Sequence, residues 1–434
     1  MVFIIPSFLI LTRPILSAKL KYKSFVDIPL WENKIQEEKL IMIYLLKKPG
    51  TWEKLKILGS TARFDVCGVP SLIKYKGKKF QRFKFIYPAV GKRGFVRLFK
   101  VLQTNFCEGN CYYCANRKDR NFIRINFSPE ELARLFINYY RRGLVDGLFL
   151  SSAIYGSPTR SQEETFKTIW LVRKKYGYRG YIHYKVLPGS DEALIEKCTD
   201  LVDRLSINLE APSPNYLEKL SPTKNFSDEL LSGLIKISRI NRERPLRAGI
   251  TTQLVVGAAG ESDKDIIGFS YSLYRKYNLW RVYYSGFMPI EDTPLEDVPP
   301  CPPLREFRLY QADFLLRGYG FKVEEMPFEK NGNLPRDKDP KLAWALSHPE
   351  KFPVEINKAD YWELLRVPGI GRISAKRIVK MRRENKITSL EELRGTGAVV
   401  KRARNFITIN GKFYPLEKRD NNTRSSQLFL WEEI

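Results

Sequence analysis

The sequence predicts an α/β protein in which a parallel sheet with helical crossovers is followed by a small helical domain. The first observation is that short apolar runs alternate with amphipathic stretches from about 95 to 317. The second is that this alternation stops at a polar stretch rich in Pro and Gly, beyond which 359–412 shows a compact helical pattern. Strands that alternate with helices form parallel sheets, either open or closed into a barrel.

Six apolar runs rich in β-branched and aromatic residues are predicted strands, and most are bounded by Gly, Pro or Asp. The predicted strands span 95–105, 148–152, 181–186, 204–210, 250–256 and 281–287. Amphipathic stretches predict helices over 128–141, 161–176, 190–198, 227–240, 262–277 and 303–317. The clearest helix start is Ser128-Pro129-Glu130-Glu131, a capping box with proline at the first helical position.

The composition restricts the class of partner and the compartment. The chain has 434 residues, which predicts two or three domains. It carries 74 Lys+Arg against 48 Asp+Glu, a net charge of +26 that favours a polyanionic partner such as nucleic acid or an acidic membrane. The alternative is a solvated basic surface of the kind found on thermophile proteins. Cys67, Cys198 and Cys301 stand singly, which argues against a disulfide scaffold and for a reducing, cytoplasmic location.

The N-terminal region is predicted to lie outside the fold. Residues 1–23 are apolar and loosely resemble a signal peptide, but they lack a basic start and are interrupted by Pro6, Arg13 and Pro14. We favour a translation start near Met42, which would leave most of the predicted N-terminal extension over 1–45 untranslated. No segment approaches 18 uninterrupted apolar residues, so we expect a soluble protein without a membrane span.

A basic lead-in segment over 46–94 precedes the first predicted strand. Its stretch 74–87, KYKGKKFQRFKFIY, alternates bases with aromatics. In one interpretation this is a hairpin whose aromatics stack on nucleotide bases while its lysines contact phosphates. In the other, the aromatics pack in the core and the lysines are solvated. Both interpretations stay open.

Three of the six cysteines lie within the stretch TNFCEGNCYYCANR, residues 104–117. Cys107, Cys111 and Cys114 have the spacing C-x3-C-x2-C, and soft thiolate ligands indicate zinc or iron–sulfur. A structural zinc site needs four ligands, but no fourth cysteine is near and the only histidines are His183 and His348. Three thiolates on a four-iron, four-sulfur cluster leave one iron open for another ligand. We therefore favour such a cluster over zinc with remote ligands or no metal.

The stretch 364–384 carries a second motif, in which an apolar helix end, Pro368-Gly369-Ile370-Gly371 and a basic amphipathic helix follow one another. This resembles a helix-hairpin-helix DNA-binding module, and 389–407 looks like a degenerate second copy. The glycines would let backbone N–H groups approach a phosphate. The predicted DNA-binding residues are Gly369, Gly371, Arg372, Lys376 and Arg377. Such a hairpin contacts the duplex backbone without choosing a base; the alternative is a tight turn in a protein–protein module.

The cysteine spacing after the first strand of a β/α array resembles the radical S-adenosylmethionine (SAM) superfamily. The resemblance implies a partial (β/α)6 barrel whose cluster binds SAM at its open iron and cleaves it to a 5′-deoxyadenosyl radical. It also implies SAM contacts at the aromatic before the last cysteine and at several strand ends, although the common Gly-Gly-Glu after the second strand is missing. The residues so implied are Tyr113, Ser151, Ser152, Asn208, Glu210 and Gly257. Strand-end Ser and Gly residues are also common as helix caps and turns.

The order of motifs over nearly the whole chain beyond residue 50 is similar to a family of radical SAM proteins described as DNA modification or repair proteins with a C-terminal helix-hairpin-helix. That resemblance implies action on DNA together with a uracil-DNA-glycosylase-like protein, and an electron donor. An RNA-modifying radical SAM enzyme is the alternative, and a DNA-binding scaffold with a structural cluster is a third possibility. The predicted domains are 1–45, 46–94, a barrel over 95–328, a linker over 329–358, the hairpin domain over 359–412 and a tail over 413–434.

The tail ends in a short peptide that resembles a docking motif. Gln427-Leu428-Phe429-Leu430-Trp431 resembles the Q-L-x-L-F peptide by which bacterial repair enzymes bind the sliding clamp. In that interpretation a tethered segment places its apolar side chains in a hydrophobic groove. In the alternative the same residues pack back on the protein's own core.

Overall fold

A singly wound, curled sheet of seven strands organises the barrel region of the computed structural model, which describes residues 49–62, 85–91 and 94–415. The strands follow one another in chain order across the sheet. The first pair is antiparallel, and each later strand is parallel to its neighbour. Because successive parallel strands join through crossovers, the sheet curls into a half-barrel with helices outside. The predicted partial barrel is confirmed.

In chain order, the elements of this region are α1 (Thr51–Thr61), β1 (Ile86–Gly91), β2 (Gly94–Leu102), α2 (Pro129–Arg141), β3 (Gly147–Ser151), α3 (Pro158–Trp170), β4 (Tyr181–Lys185), α4 (Glu192–Thr199), β5 (Arg204–Ser206), α5 (Pro214–Glu218), α6 (Ser232–Glu243), β6 (Ile250–Val256), α7 (Asp263–Tyr277), β7 (Arg281–Gly286) and α8 (Pro303–Gly318). The six parallel strands β2 to β7 overlap the six predicted runs. The antiparallel strand β1 was not predicted.

Local sequence explains how these helices begin. The Ser128 hydroxyl accepts the backbone N–H of Glu131 at 3.2 Å, and Pro129 occupies the first turn of α2. Ser262 and Asp265 form a reciprocal capping box at the start of α7. The Ser262 cap follows the end of β6 after a short loop, whereas the Ser128 cap ends the long loop after β2.

The predicted strand over 204–210 is shorter in the structure. Ladder pairing of β5 stops at Ser206, and the chain rejoins β6 only at an isolated bridge between Glu210 and Leu254. Glu210 has a φ of 64°, in the left-handed region that a non-glycine residue adopts at a cost of about 1–3 kcal/mol. The departure from the ladder therefore ends in a strained turn at the carboxyl edge of the sheet.

The segment predicted as a linker, 329–358, is not a linker, which corrects the prediction. It contains the helix α9 (Pro340–Ser347) and the short strand β8 (Val354–Glu355). The Asp339 side chain caps α9 by accepting the N–H of Leu342 at 3.1 Å. Trp344 is buried and packs edge-on against Phe321, with 5.2 Å between ring centroids. The linker was predicted because the segment begins with polar residues, Pro and Gly, which do not indicate that it packs on the fold.

The C-terminal region is helical with a small sheet. Its further elements are α10 (Tyr361–Arg366), α11 (Arg372–Glu384), α12 (Leu390–Gly395), α13 (Val400–Ala403), β9 (Ile407–Ile409) and β10 (Lys412–Phe413). The strand β9 pairs parallel with β8 and antiparallel with β10. The region predicted as all-α therefore also contains β9 and β10, which form a small sheet with β8 of the preceding segment, and its side chains continue the core of the barrel.

Several predictions lie outside the described residues. They are the untranslated extension over 1–45, most of the basic lead-in segment including Cys67, and the docking peptide Gln427–Trp431. Within the residues that the structure describes, no helix is both long enough and apolar enough to cross a bilayer.

Candidate functional site

A cavity of about 360 Å³ opens at the carboxyl edge of the parallel sheet. Every parallel strand contributes to its wall within two residues of its last residue. These wall residues are Leu102, Ser151, Lys185, Asn208, Val255 and Ser285. Ligands of β/α folds bind at this edge, because the loops that can carry functional side chains leave the strands there.

The loop after β2 brings Cys107, Cys111 and Cys114 to this cavity, as the sequence predicted. Two of the sulfurs accept backbone N–H groups: Gly109 donates to Cys107 Sγ and Asn116 donates to Cys114 Sγ, each at 3.4 Å. Such N–H···S bonds are a feature of iron–sulfur sites. The donor set therefore fits a cluster held by thiolates.

Without a metal, the surroundings of the Cys114 thiol disfavour its thiolate form. Burial raises the pKa of the Cys114 thiol to about 12, and the neighbouring Cys111 and Cys107 thiolates add to the effect. Bound iron would reverse that balance, because a metal stabilises a coordinated thiolate. No three His, Cys, Asp or Glu side chains among the described residues converge as ligands of a single ion. Ligands of a cubane need not converge, since each binds a different iron.

An ion pair between the partly buried Lys224 and the buried Glu210 lies on the same cavity wall and was not predicted. Lys224 Nζ is 2.8 Å from Glu210 Oε1 and 3.4 Å from Tyr113 Oη. Burial alone would lower the pKa of Lys224, but the Cys111 thiolate and Glu210 outweigh it and raise that pKa. Lys224 comes from the loop after α5 and stands in no motif with the cysteines, so no sequence pattern pointed to it. It places a fixed positive charge beside the cysteine loop.

The other predicted SAM contacts are mostly gathered at the cavity. Ser151 and Asn208 are buried in its wall, and Ser151 Oγ has no hydrogen-bond partner among the described residues. A buried hydroxyl without a partner fits a site that awaits a polar ligand. The Ser152 hydroxyl donates to the Ala153 carbonyl at 2.9 Å. Tyr113 and Glu210 complete the group that the structure brings together.

Gly257 lies apart from this group. It has a φ of 94°, and a Cβ there would lie 3.0 Å from Cys301 Cβ. Its backbone N–H is bound by Glu261, and the cavity wall on this strand is formed earlier, by Gln253 and Val255. The geometry at Gly257 therefore serves a tight turn packed against Cys301.

The hairpin motif forms as predicted between α10 and α11. No described side chain caps α11, whose first turn follows Gly371 directly, so its first N–H groups are available to an anion. Arg372 and Lys376 are exposed beside that end, and Ile373 is 46 % exposed. This arrangement could bind a phosphate of a nucleic acid backbone.

The second copy of the hairpin packs directly on the first. Gly369 and Gly397 occupy corresponding turns with φ values of 88° and 92°. A Cβ on Gly369 would lie 2.6 Å from the Val399 carbonyl oxygen. The exposed Arg377 donates to the Thr396 carbonyl at 3.2 Å. Gly369 and Arg377 therefore join the two copies, and the phosphate contacts predicted for them stay predictions.

The hairpin and the cavity lie at opposite edges of the sheet. A Cβ on Gly318, the last residue of α8, would lie 3.5 Å from Arg372 Cδ. The preceding Arg317 donates to the carbonyl of Trp280, which stands just before β7 at the amino edge. The cavity is at the carboxyl edge, so the two sites are separated by roughly the length of α8. For a helix of 16 residues that length is about 24 Å.

Two segments match known protein families. Residues 101–269 match the model of the radical SAM superfamily, and residues 350–397 match that of the helix-hairpin-helix motif. The first contains the cysteine loop and most of the cavity wall. The chain thus carries a radical SAM domain over the first of these segments. Its cofactors are those of the superfamily, a four-iron, four-sulfur cluster and SAM.

A curated relative is an uncharacterized protein, MJ0785, of Methanocaldococcus jannaschii. It is 23 % identical over 214 residues, which cover 47 % of this chain and 52 % of the relative. The chain thus matches only about half the length of that protein.

Solved structures with similar folds include the [FeFe]-hydrogenase maturase HydG, at 14 % identity and a TM-score of 0.40, covering 49 % of this chain and 48 % of that one. Methylornithine synthase (PylB) is 14 % identical with a TM-score of 0.40, covering 49 % and 60 %. The methyltransferase TsrM of Kitasatospora setae is 12 % identical with a TM-score of 0.36, covering 48 % of each chain.

Proposed function

We propose that the protein is a radical SAM enzyme that modifies or repairs DNA by abstracting a hydrogen atom from a nucleotide. The observation that carries the proposal is the presence, in one chain, of a thiol-lined cavity and a double hairpin with an uncapped basic helix. The net charge of +26 favours the same partner.

Cys107, Cys111 and Cys114 would hold the cluster in this proposal. When bound, the cluster and SAM together supply a 5′-deoxyadenosyl radical that abstracts hydrogen. Tyr113, Ser151, Ser152, Asn208 and Glu210 would contact SAM. Lys224 would bind the SAM carboxylate, because an ammonium forms a strong charge-assisted hydrogen bond to a carboxylate.

The cavity wall would protect the reaction from solvent. Leu102, Val186, Leu187 and Phe287 line it with apolar surface and are buried. Its volume of about 360 Å³ is at the small end of the range for ligand pockets, so a whole duplex does not enter it. A base or sugar of duplex DNA would have to turn out of the helix to reach the reacting centre.

The hairpin would hold the nucleic acid without selecting its sequence. Backbone N–H groups at the start of α11, with Arg372 and Lys376 beside them, suit phosphate oxygens. Base selection would then fall to the cavity. The proposal also includes an electron donor, a uracil-DNA-glycosylase-like protein and a sliding clamp bound through Gln427–Trp431, which rest on the sequence resemblances.

The test uses anaerobically reconstituted full-length protein with SAM and a chemical reductant. Duplex DNA with and without base lesions, and tRNA, are supplied in parallel, and 5′-deoxyadenosine and modified nucleosides are measured by mass spectrometry. The expected result is that DNA increases 5′-deoxyadenosine formation and yields a new nucleoside. A product in tRNA alone would establish the RNA-modifying alternative. If no 5′-deoxyadenosine formed at all, the protein would instead be a DNA-binding scaffold with a structural cluster.

A further inference from the structure

The loop that carries the cysteines is organised around one guanidinium. Arg124 Nη1 donates to the carbonyls of Asn105 at 3.0 Å and Asn116 at 3.3 Å. Its Nη2 donates to the carbonyls of Arg117 at 2.6 Å, Lys118 at 2.9 Å and Arg120 at 3.2 Å. One side chain thus binds five backbone carbonyls from both sides of the cysteine segment.

Two of these contacts lead to ligand sulfurs through the backbone. Asn116 accepts from Arg124 at its carbonyl, and its N–H, in the preceding peptide group, donates to Cys114 Sγ. On the other side, Lys118 accepts from Arg124 and donates its N–H to the Gly109 carbonyl at 2.9 Å. Gly109 in turn donates its N–H to Cys107 Sγ. Arg124 therefore fixes the orientation of both N–H···S donors.

The base of the loop is closed by a separate set of bonds. Asn105 is fully buried, and its side chain accepts the N–H of Ile125 at 2.7 Å and donates to the carbonyl of Ile123 at 2.9 Å. Thr104 and Asn126 form an antiparallel bridge. The loop ends are thus held together independently, so losing the Arg124 side chain would loosen the segment between them while leaving these anchors and the bonds from Tyr112 to Leu220 and from Arg120 to Glu291.

Arg124 is also close enough to the thiolates to affect them electrostatically. Burial lowers the pKa of the guanidinium, and the Cys107 and Cys114 thiolates oppose that effect most strongly. Positive charge and N–H donors near an iron–sulfur cluster both raise its reduction potential. The N–H donors that Arg124 orients and its own positive charge would therefore both raise the reduction potential of the cluster.

We propose that Arg124 is a positioning residue for the cluster. It holds the cysteine loop in its binding conformation and aims the Gly109 and Asn116 N–H groups at the sulfurs of Cys107 and Cys114. The inference rests on the cluster assignment and is independent of the nucleic-acid substrate, so failure of the DNA proposal would leave it standing.

The loop offers a direct readout in the protein without a cluster, because Arg117, Lys118 and Arg120 are sites for trypsin. Wild type and the variants Arg124→Gln and Arg124→Lys would be treated with trypsin before reconstitution. Mass spectrometry would measure the rate of cleavage after these three residues. We expect at least tenfold faster cleavage in Arg124→Gln. Lysine keeps the charge but has only three donors for five carbonyls, so Arg124→Lys should also be cleaved several-fold faster.

The second readout is the reconstituted cluster. Iron content and the midpoint potential, followed by electron paramagnetic resonance, should both fall in Arg124→Gln. In Arg124→Lys the potential should stay closer to wild type because the charge remains. Arg134→Gln, which removes an exposed arginine on α2, serves as the matched control and should behave as wild type in both assays.

Wild-type cleavage of the loop together with an unchanged potential in Arg124→Gln would overturn the proposal. Circular dichroism on heating verifies that each variant is folded. If Arg124→Gln does not fold, the test uses Arg124→Lys instead. Cleavage of that variant at the wild-type rate would overturn the proposal that Arg124 positions the cysteine loop.

Discussion

Lys224 and Glu210 form an ion pair of 2.8 Å on the wall of the cavity, beside Tyr113. Glu210 reaches this position from a strained left-handed backbone, with a φ of 64°. Strain of this kind persists where the surrounding structure holds it, and it concentrates at ligand sites. The pair is therefore the feature of the cavity most suited to recognising a zwitterionic ligand.

Replacing Lys224 with Met should weaken SAM binding by roughly 10- to 100-fold, since a hydrogen bond to a charged group contributes about 1.5–3 kcal/mol. Equilibrium dialysis of labelled SAM against the reconstituted protein measures this directly. The control is Lys219→Met, because Lys219 donates instead to the Ala259 carbonyl outside the cavity. Equal SAM affinity in Lys224→Met and wild type would remove Lys224 from the site.

Changing Cys107, Cys111 or Cys114 to Ala should abolish the cluster, because each supplies a thiolate that no neighbouring described cysteine can replace. Cys198→Ala and Cys301→Ala should keep it, since both thiols are buried away from the cavity wall. Iron and sulfide analysis after anaerobic reconstitution provides the measurement. A stoichiometric zinc content with no iron would contradict the cluster assignment.

Replacing Gly369 with Ala should destabilise the C-terminal region by at least about 2 kcal/mol. The new Cβ would lie 2.6 Å from the Val399 carbonyl, and the φ of 88° is unfavourable for alanine. Gly395→Ala is the matched control, because a Cβ there meets nothing within 4 Å. Thermal unfolding of both variants tests the difference. Equal melting temperatures would mean that the two hairpin copies do not pack as described.

Replacing Lys376 with Gln should reduce duplex affinity while leaving unfolding unchanged, since Lys376 is exposed. Each phosphate contact contributes about −0.9 to the slope of log K against log salt, so the slope should fall by about that amount. Binding to a fluorescent duplex is measured over a series of salt concentrations. Arg383→Gln, at the far end of α11, should keep the wild-type slope; a similar loss in both variants would indicate a diffuse charge effect.

Glu306 should make the folded protein less stable as the pH rises. Burial raises the pKa of this carboxyl from 4.5 to about 7, although the Gly286 N–H donates to it at 3.0 Å and opposes the shift. Because the folded state binds the proton more tightly, stability falls between pH 4.5 and 7, by up to about 3 kcal/mol.

The Glu306→Gln variant removes that titration. Its unfolding free energy, measured by chemical denaturation at pH 5 and pH 8, should depend less on pH than that of wild type. The same pH dependence in both proteins would show that Glu306 is not held protonated.

The parts of the site that are local in sequence could be predicted. Cys107, Cys111 and Cys114 lie within eight residues and carry their own spacing, and the hairpin is similarly compact. Strand ends such as Ser151 and Asn208 could be placed because the parallel sheet brings all carboxyl ends to one edge. For these residues, chain order alone fixes the neighbourhood.

Lys224 and Arg124 could not be predicted, since each acts through contacts that no spacing encodes. Lys224 meets Glu210 because a loop folds back over the cavity, and Arg124 acts through backbone carbonyls, which any sequence presents. The helix α9 was missed although the sequence contains a signal for it: Asp339 is a cap and Pro340 is a helix-initiating proline. That signature was outweighed by the polar composition around it.

The position of the hairpin at the far end of α8 sets a minimum footprint. DNA rises by 3.4 Å for each base pair, so the roughly 24 Å of α8 corresponds to about seven base pairs. A straight duplex that touched both the start of α11 and the cavity mouth would have to extend at least that far. Shorter oligonucleotides could occupy one end of the molecule or the other, so anchoring and chemistry would become uncoupled below this length.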